Sequence, residues 1–186
     1  MIIVGIDPSL TSTGFAIVDT QDRLEIMTST IGSKGTRADD WPTRNSRISS
    51  MAVRIIENIP SYADMAVIEA PTLSQVRQGG HLDRHGLWWR IYDDLATLVC
   101  IPTLVVTAST RAKYGAGRGN AGKDEVLLAV ARRYPQAQIR GNDEADALIL
   151  AAIGARLLGE PIEDSLPAAN LAAMATLAAP MVGGVA

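Results

Sequence analysis

The chain has one cysteine, Cys100, in 186 residues, so no internal disulfide can form and a reducing, cytoplasmic setting is expected. It has no stretch that reads as a signal or a membrane span. Met1 to Ile6 is apolar, but Asp7 ends the run far too early. No internal repeat is visible, which excludes solenoids and propellers. Charge is absent from residues 165–186, an Ala-rich stretch broken by Pro167 and Pro180. That stretch is expected to be a frayed, partly helical tail, and residues 1–160 are expected to form the domain. What remains is ordinary globular composition, 47% hydrophobic and 20% charged, and the length suits one domain.

Hydrophobic patterning divides the domain. Residues 2–6, 13–18 and 24–31 read as three successive strands, the first two joined by turn residues Pro8, Ser9 and Gly14. A helix is expected over 44–59, stopped by Pro60, then a buried strand over 65–68 ending in Glu69-Ala70-Pro71. Residues 72–86 are polar and glycine-containing and read as a loop. A helix over 87–99, a strand over 102–106, a short helical turn from Ser109, a glycine loop over 114–122 and helices over 123–133 and 142–158 complete the chain. Three antiparallel strands followed by alternating strands and helices predict an α/β fold with a mixed sheet flanked by helices.

Two motifs mislead. Gly117-Arg118-Gly119-Asn120-Ala121-Gly122 matches the spelling of a dinucleotide loop, and residues 117–123 match most of a P-loop. The first needs a strand directly before it, and the second needs Ser or Thr after the lysine, where this chain has Asp124. A mobile basic loop is the better account, and no nucleotide cofactor is expected. His81 and His85 are four apart, as zinc ligands on a helix would be. Leu82 stands where a zinc protease has its glutamate and Gly79-Gly80 opposes a helix, so a solvated loop is expected.

The acids are more informative. Asp7 and Glu69 each end an apolar strand, and Asp143 and Asp146 share one face at a helix start. Taken singly, each has a bland role, as an Asx-turn, an edge carboxylate or a helix cap. Together they stand where sites gather in α/β folds. Four hard oxygen ligands there would suit Mg²⁺, and two such ions roughly 4 Å apart can hydrolyse a phosphodiester.

Net charge is only −3, which argues against a nucleic-acid partner until its distribution is considered. Residues 107–140 hold seven basic residues against Asp124 and Glu125, a net of +5. The loop after Glu69 adds Arg77, Arg84 and Arg90. A DNA face is therefore expected from Arg77, Arg84, Arg111, Lys113, Arg118 and Lys123. Trp88, Trp89 or Tyr92 could stack on a base, although helical spacing favours the core or a subunit contact.

These residues resemble a known family. Gly5-Ile6-Asp7-Pro8 followed by Thr13-Gly14-Phe15 looks like the opening of the RuvC-type Holliday junction resolvases, within the RNase H-like nuclease superfamily. Asp40-Trp41-Pro42-Thr43-Arg44 is similar to the start of that family's first helix, Ala66-Val67-Ile68-Glu69 to its second acidic strand, and Asp143-Glu144-Ala145-Asp146-Ala147-Leu148 to the opening of its last helix. The resemblance implies an RNase H-like fold with a five-stranded mixed sheet. It implies a homodimer that resolves four-way junctions or related branched DNA such as forks by Mg²⁺-dependent nicks, with two ions per site and Mn²⁺ as a substitute. It carries over Asp7, Glu69, Asp143 and Asp146 as catalytic metal ligands. Lys113 and Lys123 fall near the family's two phosphate-facing lysines, with Lys123 the better placed for catalysis. Ser9 stands where the family usually has glycine, and Ala70-Pro71-Thr72-Leu73 replaces its junction-probing aromatic segment.

Two other classes are weighed beside a nuclease. A non-catalytic branched-DNA-binding protein would lack one of the four acids, and none is missing. An ATP-binding protein of the actin and sugar-kinase type would need a second phosphate motif, for which 186 residues leave no space.

Overall fold

The computed structural model describes residues 1–71 and 80–180. Five strands form one mixed sheet in the order β3-β2-β1-β4-β5. They are β1 (Ile2–Asp7), β2 (Thr13–Asp19), β3 (Glu25–Ile31), β4 (Met65–Glu69) and β5 (Thr103–Val106). β1 pairs antiparallel with β2 and parallel with β4, while β2–β3 is antiparallel and β4–β5 parallel. This is the sheet expected from the strand order.

Helices cover both faces, which is why β1 and β4 read as unbroken apolar runs. Alternate residues serve opposite sides. Ile2, Val4 and Ile6 pack with Met51 and Ile55 of α1 (Trp41–Glu57) and with Leu87, Ile91 and Leu95 of the chain around α2 (His81–Asp94). Ile3 and Met65 pack on the other side against α5 (Asn142–Leu157), with Val126 and Val130 of α4 (Lys123–Arg133) and Tyr114 of α3 (Ala108–Ala116). Burying one side chain such as Ile91 contributes about 2 kcal/mol. α5 is apolar all round because it lies between the sheet and α3 and α4.

Helix starts explain where the structure departs from the sequence pattern. α1 begins at Trp41, earlier than expected, because the Asp40 side chain accepts from Thr43 N–H at 2.9 Å and Pro42 sits in the first turn. α2 begins at His81, inside the expected loop. Gly80 adopts φ 88°, a left-handed turn open to glycine, and so starts the helix that it was expected to oppose. A π-helical turn, Leu95–Val99, follows α2.

Of the two roles expected for the apolar spacing over 87–99, core or subunit contact, Leu87, Ile91 and Leu95 take the first, buried with α1 and the sheet. The described part of the expected frayed, partly helical tail, residues 165–180, is fastened. It forms α6 (Ala168–Leu171), buries Asn170 and Ala173, and is tied to α3 by Asn170 Nδ2 donating to Tyr114 O at 2.7 Å. Among the described residues no helix is long and apolar enough to cross a membrane.

Candidate active site

Asp7 and Glu69 are brought together by strand register. β1 and β4 run parallel with Ile6 beside Ile68, so the next residues, Asp7 and Glu69, emerge side by side at the carboxyl end of the sheet. The turn after Asp7 is closed by Ser9 N–H donating to Thr13 Oγ1 at 3.0 Å. Trp88 of α2 donates its indole N–H to Glu69 O at 2.7 Å, so α2 pins the end of β4.

α5 delivers the other acids. Gly5 and Gly14 let its first turns approach the sheet. A Cβ on Gly5 would collide with Ala147 O, and one on Gly14 with Asp143 O. Asp146 is almost fully buried, at 1% exposure, while Asp143 is partly exposed. The cap of α5 is Gly141, without a side-chain bond, so Asp143 is not consumed by capping as its bland role required.

Arg111 organises the cluster. It was expected on the DNA face but is buried, donating from Nε to Glu69 and from Nη1 to Asp146. The cause lies in α3, which starts directly after β5 with Thr107 as its N-cap and points its first turns back at the sheet edge. Lys113 sits two residues further on and makes no ion pair to the carboxylates among the described residues. The cation between Glu69 and Asp146 is Arg111, which the spacing alone could not distinguish from Lys113. Lys123 opens α4 with Nζ 3.9 Å from Asp143 Oδ1. Arg118 is paired with Glu125 at 2.5 Å, and Arg84 lines the cleft. Arg77 lies outside the described residues.

The electrostatics follow. Burial, then repulsion from Glu69 and Asp146, pushes the Asp7 carboxyl well above the usual carboxylate range. Burial pushes Asp146 up to about 6, partly opposed by Arg111. Four carboxylates share this site with two cations, Arg111 and Lys123, so it carries excess negative charge.

The donor chemistry fits a hard divalent cation. The set is all carboxylate, and Asp146 Oδ2 is buried without a partner, an acceptor that a cation would satisfy. With Arg111 between Glu69 and Asp146, no three acidic, histidine or cysteine side chains among the described residues are gathered as metal ligands. The cleft beside them holds about 80 Å³ between Asp7 and Glu69 on one side and Arg84, His85 and Trp88 on the other.

His85 was missed as a cleft residue because residues 81–86 read as a loop. On α2 its ring stacks on His81 with centroids 4.0 Å apart. Trp88 is buried, and Trp89 is 61% exposed. The glycine loop follows α3 and leads into α4 at Gly122, so the strand that a dinucleotide loop needs directly before it is replaced by a helix.

No family model matches the sequence, and no curated protein matches it. Solved structures do match in shape. The structure of Thermus thermophilus RuvC superposes with a TM-score of 0.64 at 19% identity, covering 86% of this chain and 98% of that one. T. thermophilus RuvC in complex with Holliday junction substrate gives 0.61 at 18% identity, over 81% and 90%. The yeast mitochondrial Holliday junction resolvase Ydc2 gives 0.50 at 12% identity, over 80% and 75%. The chain therefore has the RNase H-like fold of the RuvC structures.

Proposed function

We propose that this protein is a Mg²⁺-dependent endonuclease that cuts branched DNA, four-way junctions first among them. The observation that carries this is the convergence of Asp7, Glu69 and Asp146 around Arg111 beside the cleft, from two strand ends and a helix about 140 positions along the chain. Two of the matched structures are named for Holliday junctions or their resolution.

Asp7, Glu69, Asp143 and Asp146 would hold the metal. Bound there, it would supply Lewis-acid charge to a scissile phosphate and lower the pKa of the attacking water. The chain's own groups do the rest. Arg111 keeps Glu69 and Asp146 oriented and limits their mutual repulsion. Lys123, 65% exposed at the mouth of the site, is placed to meet a phosphate oxygen as negative charge builds on it. Trp88 fixes the backbone that carries Glu69. Because a four-way junction is cut on two strands, the acting species would be a homodimer. Exposed Leu82 and Trp89, seven apart on α2, offer apolar surface for it.

A specific observation favours a second reading. Arg111 already occupies two of the proposed ligands, as it would in a protein that binds branched DNA without cutting it. Labelled four-way junction, fork, flap and duplex separate the two. Expected is Mg²⁺- or Mn²⁺-dependent cutting of the junction that falls by about a hundredfold or more in Asp7→Asn and Glu69→Gln. Tight junction binding with no cutting in either metal would establish the second reading and end the first.

A further inference from the structure

Beside the catalytic cleft runs a larger groove of about 600 Å³ that the acidic site does not use. Four arginines line it, Arg37, Arg44, Arg47 and Arg84, against one acid, Asp83. That acid is already neutralised: Arg44 holds it with Nε at 3.0 Å and Nη2 at 2.6 Å. Asp39, bonded to Thr36 at the groove wall, offsets part of the charge on Arg44 and Arg47, yet the four arginines still outnumber the two acids, a surplus of positive charge in a chain whose overall charge is negative. Arg47 gives one nitrogen to Ser33 O, while its Nε is buried with no partner. The hydroxyls of Ser9 and Thr11 share the wall, 3.3 Å apart, so one of their two protons is left for a phosphate oxygen, while the Thr36 hydroxyl is taken by Asp39. Arg84 lines both this groove and the cleft, so the two are neighbours.

An exposed aromatic stands beside these arginines. Trp41 is 70% exposed, although it is the first residue of a well-capped helix. The Arg44 guanidinium covers one side of the indole, 4.5 Å from the ring centroid. A flat ring backed by a cation and open to water is a stacking platform for a nucleobase. Duplex DNA hides its base faces, whereas an unpaired stretch presents them.

We infer that the groove takes the backbone of an unpaired DNA strand and that Trp41 stacks on one of its bases. This rests on the nuclease reading only for DNA as the polymer. Unpaired nucleotides occur at branch points, so the groove would lead such a strand to the cleft through Arg84.

The test is binding by the full-length chain in EDTA, where metal-dependent cutting is off. Fluorescent oligo-dT of about 15 nucleotides, a duplex of equal length and a poly-glutamate peptide are compared by anisotropy, with intrinsic tryptophan quenching as a second signal. Expected are a preference for oligo-dT and a roughly five- to hundredfold loss of its affinity in Trp41→Ala, with Trp41→Phe retaining most of it. Arg37→Ala should flatten the salt dependence by about 0.7 in log–log slope. Neither residue touches the acidic cluster, and both side chains are exposed, so folding is preserved and circular dichroism verifies it.

Unchanged oligo-dT affinity in both alanine variants would overturn the inference. So would equal binding of poly-glutamate, which marks a general polyanion surface. The result stands apart from the nuclease reading: oligo-dT binding that depends on Trp41 survives a failure to cut junctions, and junction cutting survives an inert groove.

Discussion

At the residue scale, burying Asp7, Glu69 and Asp146 around one guanidinium leaves a charge imbalance that titration should expose. Burial raises Asp146 to about 6 from its ordinary 3.8 and holds Asp7 well above the same value. A carboxyl whose folded pKa is raised binds its proton more tightly in the native state. Its contribution to stability is therefore full below the unfolded pKa and lost as pH rises through the folded one. The metal-free protein should gain stability as pH falls from 7.5 to 5.5, by roughly 1 kcal/mol from Asp146 alone. Thermal melts in EDTA across that range check the sign. Asp146→Asn should flatten the profile, and a melting temperature that falls towards pH 5.5 in the wild type and not in the variant would reverse the argument. Mg²⁺ should produce its largest stabilisation at pH 7.5, where the carboxylates are ionised and their repulsion is unrelieved.

At the element scale, the site depends on how closely the first turns of α5 lie on the sheet, and two strand glycines set that distance. Gly14 on β2 lies against Asp143 O and Gly5 on β1 against Ala147 O, so any side chain there must push the first turns of α5 outward. Gly5→Ala is expected to destabilise the fold by about 2 kcal/mol or more, measured by urea denaturation. Gly14→Ala, nearer the acids, should also lower cleavage below what its loss of stability explains, because it shifts Asp143 away from Lys123. Cleavage by folded Gly14→Ala at the wild-type rate would show that this spacing is not critical.

Element boundaries show what a sequence can convey. α4 starts at Lys123 and β1 ends at Asp7 as the apolar pattern predicts, since local periodicity determines both. The facing of Arg111 was not legible, because it depends on where β5 hands the chain to α3. The helical form of His81 to Gly86 was not legible either. It rests on the positive φ of Gly80 and on an apolar stripe whose buried members begin only at Leu87.

At the scale of the whole molecule, the carboxy-terminal segment acts as a strap across the back of α3. Its anchor is Glu163, whose side chain is 2% exposed. Glu163 accepts from Tyr114 Oη at 2.8 Å, from Tyr134 Oη, and from Arg156 Nη2 at 2.8 Å. Asn170 adds a bond to Tyr114 O, so two points of the strap grip the same residue of α3. Three residues earlier on α3 stands Arg111, which holds Glu69 and Asp146. A loosened strap should therefore be felt in the cleft. Glu163→Ala leaves two buried hydroxyls and a guanidinium without their acceptor, at a cost of about 3 kcal/mol and a fall of roughly 6–12 °C in Tm. Glu163→Gln, which keeps an acceptor for the tyrosines and loses only the charge opposite Arg156, should cost less than half as much. Hydrogen exchange distinguishes this strap from a passive tail: amides of α3 should lose protection in Glu163→Ala more than those of α1 on the opposite face of the sheet. Equal loss in both helices would mean that Glu163 supports the fold as a whole and that the strap exerts no particular hold on Arg111.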